Sequence, residues 1–222
     1  MALRFLALGD SYTIGEGVAP GERWPVQLAA RLRGEGIDIA EPQIIATTGW
    51  TTDELSVAVK TATLAPPYAL VTLLVGVNNQ YRGRGVDEYR AQFRALLQRA
   101  VELAGHHPAH VIVVSIPDWG VTPFAAREGR DAAHVAREID AFNAIALAEA
   151  GNAGAAWVDV TAISRRPEAH DELVDDGLHP SGAQYARWTE AILPVVRESC
   201  PVADADAPLS CALCVRRKEN PP

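Results

Sequence analysis

Cysteine is almost missing from this chain. All three, Cys200, Cys211 and Cys214, fall in the last stretch before Pro222, so no disulfide framework holds the body together. Cys211-Ala-Leu-Cys214 has the spacing of a metal or redox pair. A second such pair is missing and the tail has no histidine, so the pair reads as incidental. Long apolar runs are missing too. None approaches the roughly 20 residues of a membrane-spanning helix. The apolar start, Leu3 to Leu8, is broken by Arg4 and lacks a small-residue cleavage site, which argues against a signal peptide and leaves a cytoplasmic location as the expectation. Positive charge is short: the formal net charge is −8, which disfavours nucleic acid and anionic membranes as partners. There is no internal repeat. Gly15-Glu16-Gly17 lacks the Gly-Lys-Ser/Thr that completes a phosphate-binding loop.

What remains is an ordinary globular composition, 48% hydrophobic and 22% charged over 222 residues, the size of one α/β domain. Apolar runs alternate with helical periodicities throughout. Strands are expected at 3–8, 43–46, 69–75, 110–116 and 155–160, and the third, apolar but for Thr72, reads as buried on both faces. Helices are expected over about 22–34, 51–62, 87–104 and 131–150, with a last one after Ser181. Ser181-Gly182-Ala183-Gln184 has capping-box spacing for that last helix, and Pro194 should kink or end it. Strands alternating with helices imply a parallel sheet covered on both faces, one domain over 1–199, and a frayed tail over 200–222.

Four short polar stretches then fall at strand ends or just before the last helix: Gly9-Asp10-Ser11, Thr48-Gly49-Trp50, Gly76-Val77-Asn78-Asn79 and Asp176-Gly177-Leu178-His179-Pro180. In a parallel sheet these lie on one rim, where catalytic groups gather. Each has an ordinary alternative. Ser11 can cap a turn or helix, Gly49 can serve only a positive φ, Asn78 can cap a turn, and His179 can be a surface histidine. Four such stretches in this order are more than these alternatives explain.

The set resembles the SGNH hydrolases, the GDSL-type esterases and lipases, from the N-terminus to about residue 198. The resemblance implies a three-layer α/β/α, flavodoxin-like fold with a five-stranded parallel sheet and a serine hydrolase acting on carboxylic esters, without metal or cofactor. It assigns Ser11 as nucleophile, His179 as base and Asp176 as the acid that orients it. The Ser11 and Gly49 N–H groups and the Asn78 amide would hold the oxyanion. Asp175 is the rival for the acid; the family spacing favours Asp176. The family's third block usually ends Asn-Asp, and here Asn79 takes the second place. Asp10 reads as structural, bonding nearby backbone. The α/β-hydrolase alternative needs Gly-x-Ser-x-Gly, and Thr13 stands where its second glycine would be.

Trp50, Asn79, Tyr81 and Trp119, with Phe124, are candidates for substrate contact, and Arg82 and Arg84 for an anionic group. His106, His107 and His110 precede the fourth strand, at the opposite edge from the site, and read as a solvated loop. The expected partner is a small-molecule, lipid or carbohydrate ester. An acyltransferase or thioesterase on the same site, or a non-catalytic binding module on the fold, are the alternatives. Oligomeric state is not readable.

Overall fold

The computed structural model describes residues 2–199; the cysteine-bearing tail lies outside the described residues. Five strands form one all-parallel sheet: β1 (Phe5–Gly9), β2 (Gln43–Ala46), β3 (Leu70–Leu74), β4 (Val111–Val114) and β5 (Ala156–Val158), in the order β2-β1-β3-β4-β5. Their composition explains their places. β1, β3 and β4 are buried at every residue, as the continuous apolar runs Phe5-Leu6-Ala7-Leu8, Leu70-Val71 and Val111-Ile112-Val113-Val114 require. The edge strands β2 and β5 are only partly covered.

Helices cover both faces. On one, α2 (Trp24–Gly34) packs against α9 (Gly182–Ser199), burying Trp24, Trp188 and Tyr185. On the other lie α3 (Thr52–Thr61), α5 (Val86–Leu103) and α7 (Ala132–Ala153), with Tyr89 stacked on Phe93 and Phe142 at centroid distances of 5.4 and 4.6 Å. Short helices follow strand ends: α1 (Ser11–Ile14) after β1, α4 (Val77–Tyr81) after β3, α6 (Pro123–Arg127) in the long connection after β4, and α8 (Thr161–Ser164) after β5. The chain leaves β1 toward β2 on one side and returns to β3 on the other. The ends of β1 and β3 therefore flank the point where strand order reverses, the place where open α/β sheets bind ligands.

One expectation for the last helix needs correction, and of the two outcomes given for Pro194 one is excluded. Gln184 does not turn back to cap it. Its side-chain amide is buried and donates to the carbonyls of Ala169 and Glu172 at 3.0 and 3.4 Å, tying the helix to the 167–172 segment. Nor does Pro194 end the helix, which continues to Ser199. Pro194 lies on the exposed side, where water can take the carbonyl it frees, while Ile192 and Val196 stay buried on the other side.

Candidate functional site

β1 ends at Gly9, and the reason is contact. A Cβ at this position would stand 2.1 Å from the Thr13 hydroxyl and 2.5 Å from the Leu74 carbonyl oxygen, so only glycine lets α1 start against β3. Asp10 caps α1 through Oδ1, which accepts the Tyr12 N–H at 3.1 Å. Asp10 is fully buried and its Oδ2 has no hydrogen-bond partner among the described residues. Burial pushes its carboxyl up to about 7, against the Tyr12 N–H, which favours the charged form. Ser11, the first residue of α1, is buried, and its N–H precedes any intrahelical acceptor. Trp24 donates its indole N–H to the Tyr12 carbonyl at 3.0 Å and pins α1 from the α2 side.

The turn after β2 carries Gly49 at φ 88°, a left-handed conformation that glycine adopts without strain. Its carbonyl accepts from the Arg82 guanidinium at 2.6 Å, whereas its N–H makes no hydrogen bond among the described residues. After β3, the side-chain amide of Asn78 donates to the Trp50 carbonyl at 2.9 Å, which fixes the carboxamide and leaves its second N–H uncommitted.

Asn79 behaves differently from its neighbour. It is fully buried; its Oδ1 accepts the Thr52 N–H at 3.0 Å and its Nδ2 donates to the Thr52 hydroxyl at 2.7 Å. The Thr52 hydroxyl in turn donates to Gln92 Oε1, and Gln92 Nε2 donates to Glu88 at 3.0 Å. With the Thr52 hydroxyl proton given to Gln92, its oxygen is left to accept, and position 79 must supply the N–H. A carboxylate cannot, which is a physical reason for Asn where the family usually has Asp.

The segment before α9 delivers a carboxylate and an imidazole from one tight turn. Asp176 Oδ1 accepts the N–H groups of Leu178 and His179 at 2.7 and 3.0 Å, and Oδ2 lies 2.6 Å from His179 Nδ1. Partial burial pushes the Asp176 carboxyl up, but the His179 ring and the two N–H groups outweigh it and hold the group below the usual carboxylate range. With Asp176 ionised, the shared proton sits on Nδ1 and Nε2 is left as an acceptor. The imidazole is buried and packs on Tyr12, ring centroids 5.6 Å apart. Asp175, exposed beside it, has no bond to the ring.

These elements enclose a cavity of about 180 Å³ lined by Ser11, Gly49, Asn78, His179, Tyr81, Trp119 and Phe124, among others. Trp50 and Asn79 are not among its walls. Trp50 packs against the core and enters through its carbonyl, and Asn79 lies behind the site. Arg82 and Arg84 are engaged within the chain, Arg82 by Gly49 and Glu54, Arg84 by Asp53 at 2.6 Å. Sequence reasoning missed Tyr12, Thr48, Val77 and Leu178 as walls, although each adjoins a residue of the four stretches. It also missed Gln80, whose Oε1 accepts the Trp119 indole N–H at 2.8 Å. His107 and His110 stack at 4.9 Å at the far edge of the sheet, and no cluster of metal-ligating side chains occurs among the described residues. No helix among them is long and apolar enough to cross a membrane.

The sheet order and the layers are those of the SGNH hydrolases. More narrowly, residues 7–187 match the model of the GDSL-like lipase/acylhydrolase family, and the chain belongs to that family. Among solved structures it is similar to a lipase/acylhydrolase from Enterococcus faecalis, with a TM-score of 0.68, 20% identity, and 89% of this chain and 97% of that one covered. It is also similar to the acetyl xylan esterase Axe2 from Geobacillus stearothermophilus (TM-score 0.66, 18% identity, 87% and 94% covered). A third is the psychrotrophic esterase EstA from Pseudoalteromonas sp. (TM-score 0.65, 16% identity, 88% and 97% covered). At these identities the likeness is one of fold. No curated protein matches the sequence.

Proposed function

We propose that the protein is a serine hydrolase of carboxylic esters with short acyl groups, using Ser11, His179 and Asp176. The observation that carries this reading is the 2.6 Å contact between His179 Nδ1 and Asp176 Oδ2 on the wall of the cavity that Ser11 also lines. An imidazole whose Nδ1 proton is held by a carboxylate presents a basic Nε2, the atom that takes the serine proton.

The Ser11 oxygen attacks the acyl carbon while its proton passes to His179 Nε2, and the carbonyl electron pair moves onto oxygen. The Ser11 and Gly49 N–H groups and the free N–H of Asn78 hold that oxyanion. Collapse breaks the bond to the alcohol, which takes the proton from His179. Water then repeats the sequence on the acyl-enzyme, releasing the acid and restoring Ser11. Asp176 stabilises the imidazolium in both halves. A cavity of about 180 Å³ is smaller than the roughly 300–1,000 Å³ of typical ligand pockets, which supports a short acyl group over a long chain. The esterase names of the similarly folded Axe2 and EstA support the reaction class.

The test is hydrolysis of p-nitrophenyl esters from acetate to decanoate by wild type, Ser11→Ala and His179→Ala. The expected result is an optimum at acetate or propionate and a loss of about a thousandfold or more in kcat for each variant, with Tm retained. Near-normal turnover in either variant would overturn the assignment.

A further inference from the structure

The proposed chemistry uses neither of the two guanidinium groups carried by the segment that walls the cavity beyond Trp119. Arg130 lies with its guanidinium carbon 5.1 Å from the Tyr81 ring centroid and 5.9 Å from that of Trp119. Both rings line the cavity, and they meet edge to face at 5.3 Å. The backbone beneath Arg130 is fixed on both sides. Its N–H bonds the Ala125 carbonyl at 3.0 Å and the Gly129 N–H bonds that of Ala126 at 3.1 Å, the paired bonds of a Schellman cap on α6. The next residue, Asp131, caps α7 through bonds to the Ala133 and His134 N–H groups.

Neither Arg127 nor Arg130 has a carboxylate within ion-pair distance among the described residues, whereas Arg82 and Arg84 nearby both do. Arg127 reaches the Asp176 carbonyl, which places its charge beside the turn that carries His179. The contacts with Tyr81 and Trp119 are cation–π contacts that use no hydrogen bond. The guanidinium N–H groups of Arg130, which make no side-chain hydrogen bond among the described residues, stay available to an acceptor of two oxygens. Tyr81 is 40% exposed, and Arg130, itself exposed and not a lining residue, stands outside the cavity against two of its walls. In a chain of net charge −8, unpaired cations beside the cavity mark where a negative group is favoured.

We infer that Arg130, supported by the charge of Arg127, is an anion subsite, and that the ester is one whose alcohol portion carries a carboxylate or phosphate group. The inference rests on the esterase reading. It follows from the layout: the acyl group occupies the closed part of the cavity under the oxyanion donors, and the alcohol leaves past His179 toward the mouth. Tyr81 and Trp119 supply flat walls for the part of the alcohol between the ester and its anionic end.

The experiment compares 4-acetoxybenzoate, its neutral methyl ester and 4-acetoxyphenyl phosphate, three acetyl esters that differ in the remote group. The quantity read is the kcat/KM of each anion divided by that of the neutral ester, in wild type, Arg130→Ala and Arg130→Glu. Both ratios fall about tenfold or more in Arg130→Ala and further in Arg130→Glu, the change lies in KM, and the wild-type ratios shrink as salt is raised. A fall for one anion alone identifies which group the subsite takes. Ratios within about twofold of wild type in both variants overturn the subsite. If wild type cleaves none of the three, the esterase reading fails separately. The subsite is then read by calorimetric titration of 4-hydroxybenzoate and methyl 4-hydroxybenzoate into wild type and Arg130→Glu; equal binding of the acid by both proteins overturns it.

Discussion

Adjacent residues at the end of β3 have opposite fates. Asn78 is half-buried on the cavity wall with one N–H uncommitted, while Asn79 is enclosed behind it with both ends of its amide used. If Asn78 is the oxyanion donor proposed above, replacing it by Ala removes that donor, and about a hundred- to thousandfold loss in kcat is expected with little change in KM. Replacing Asn79 by Asp, the family's usual residue, acts on stability instead. The carboxylate still accepts the Thr52 N–H but meets the Thr52 hydroxyl oxygen without a proton to give. A loss of about 1–3 kcal/mol is expected by urea denaturation, the cost of an unsatisfied buried pair. Unchanged stability in N79D would mean that Thr52 and Gln92 reorient freely. The sequence showed that position 79 departs from the family's pattern, but not why, because the reason is a hydrogen-bond chain running through Thr52, Gln92 and Glu88, which are far apart in the chain.

At the scale of elements, the strands and the long helices were legible because their periodicities are strong and their ends carry glycine, proline or a capping residue. The helix expected over 131–150 is α7, which Asp131 caps through two N–H groups and Gly154 closes in a left-handed turn. No element was legible in the segment from Ser164 to Asp175. That segment holds a short 3₁₀ turn over Pro167–Asp171 and an isolated bridge from Leu173 to Pro180, and it is held by Gln184 and Arg187 of α9. No local pattern encodes such long-range ties. The contact between α5 and α7 contains another: Glu149, buried, accepts Arg94 in two bonds at 2.8 and 2.9 Å and Arg90 at 3.0 Å. The Arg94 bonds, then those of Arg90, hold its carboxyl below the usual range despite some burial. A group with a depressed folded pKa contributes stability above its unfolded pKa and loses it as pH falls through the folded one. Glu149→Gln should therefore cost about 1–2 kcal/mol near neutral pH, where both arginines lose their partner's charge, and progressively less as pH falls below the usual carboxylate range. Thermal melts of the two proteins across that range make the comparison, and a pH-independent difference would show that shape, not charge, matters there.

For the whole molecule, the order β2-β1-β3-β4-β5 explains why residues from the first and last quarters of the chain share a cavity: β1 is an interior strand, and α9 returns beside α2 to bring the turn with Asp176 and His179 over the end of β1. The same interior place buries Asp10 completely, and an unusual pH dependence of stability is expected from it. The carboxylates of Glu35, Asp53, Glu54, Glu149 and Asp176 are held below their ordinary values, so their contribution to stability appears as pH rises through the acid range. Asp10 is held above its ordinary value, at about 7. Between its unfolded value of 3.8 and about 7 the folded state keeps a proton that the unfolded state has lost, so stability falls as pH rises across that window and levels off above it. The two tendencies together place maximal stability in mild acid, near pH 5 and not at neutrality. Tm should drop by about 5 °C or more between pH 5 and pH 7.5, taking about 2–4 °C per kcal/mol for a chain of this size. In Asp10→Asn, which keeps an oxygen to cap Tyr12 but carries no titrating proton, the decline should vanish while the loss below pH 4 remains. A wild-type Tm that stays level from pH 5 to 7.5 would mean that Asp10 ionises without penalty, and that water or a backbone donor reaches its Oδ2.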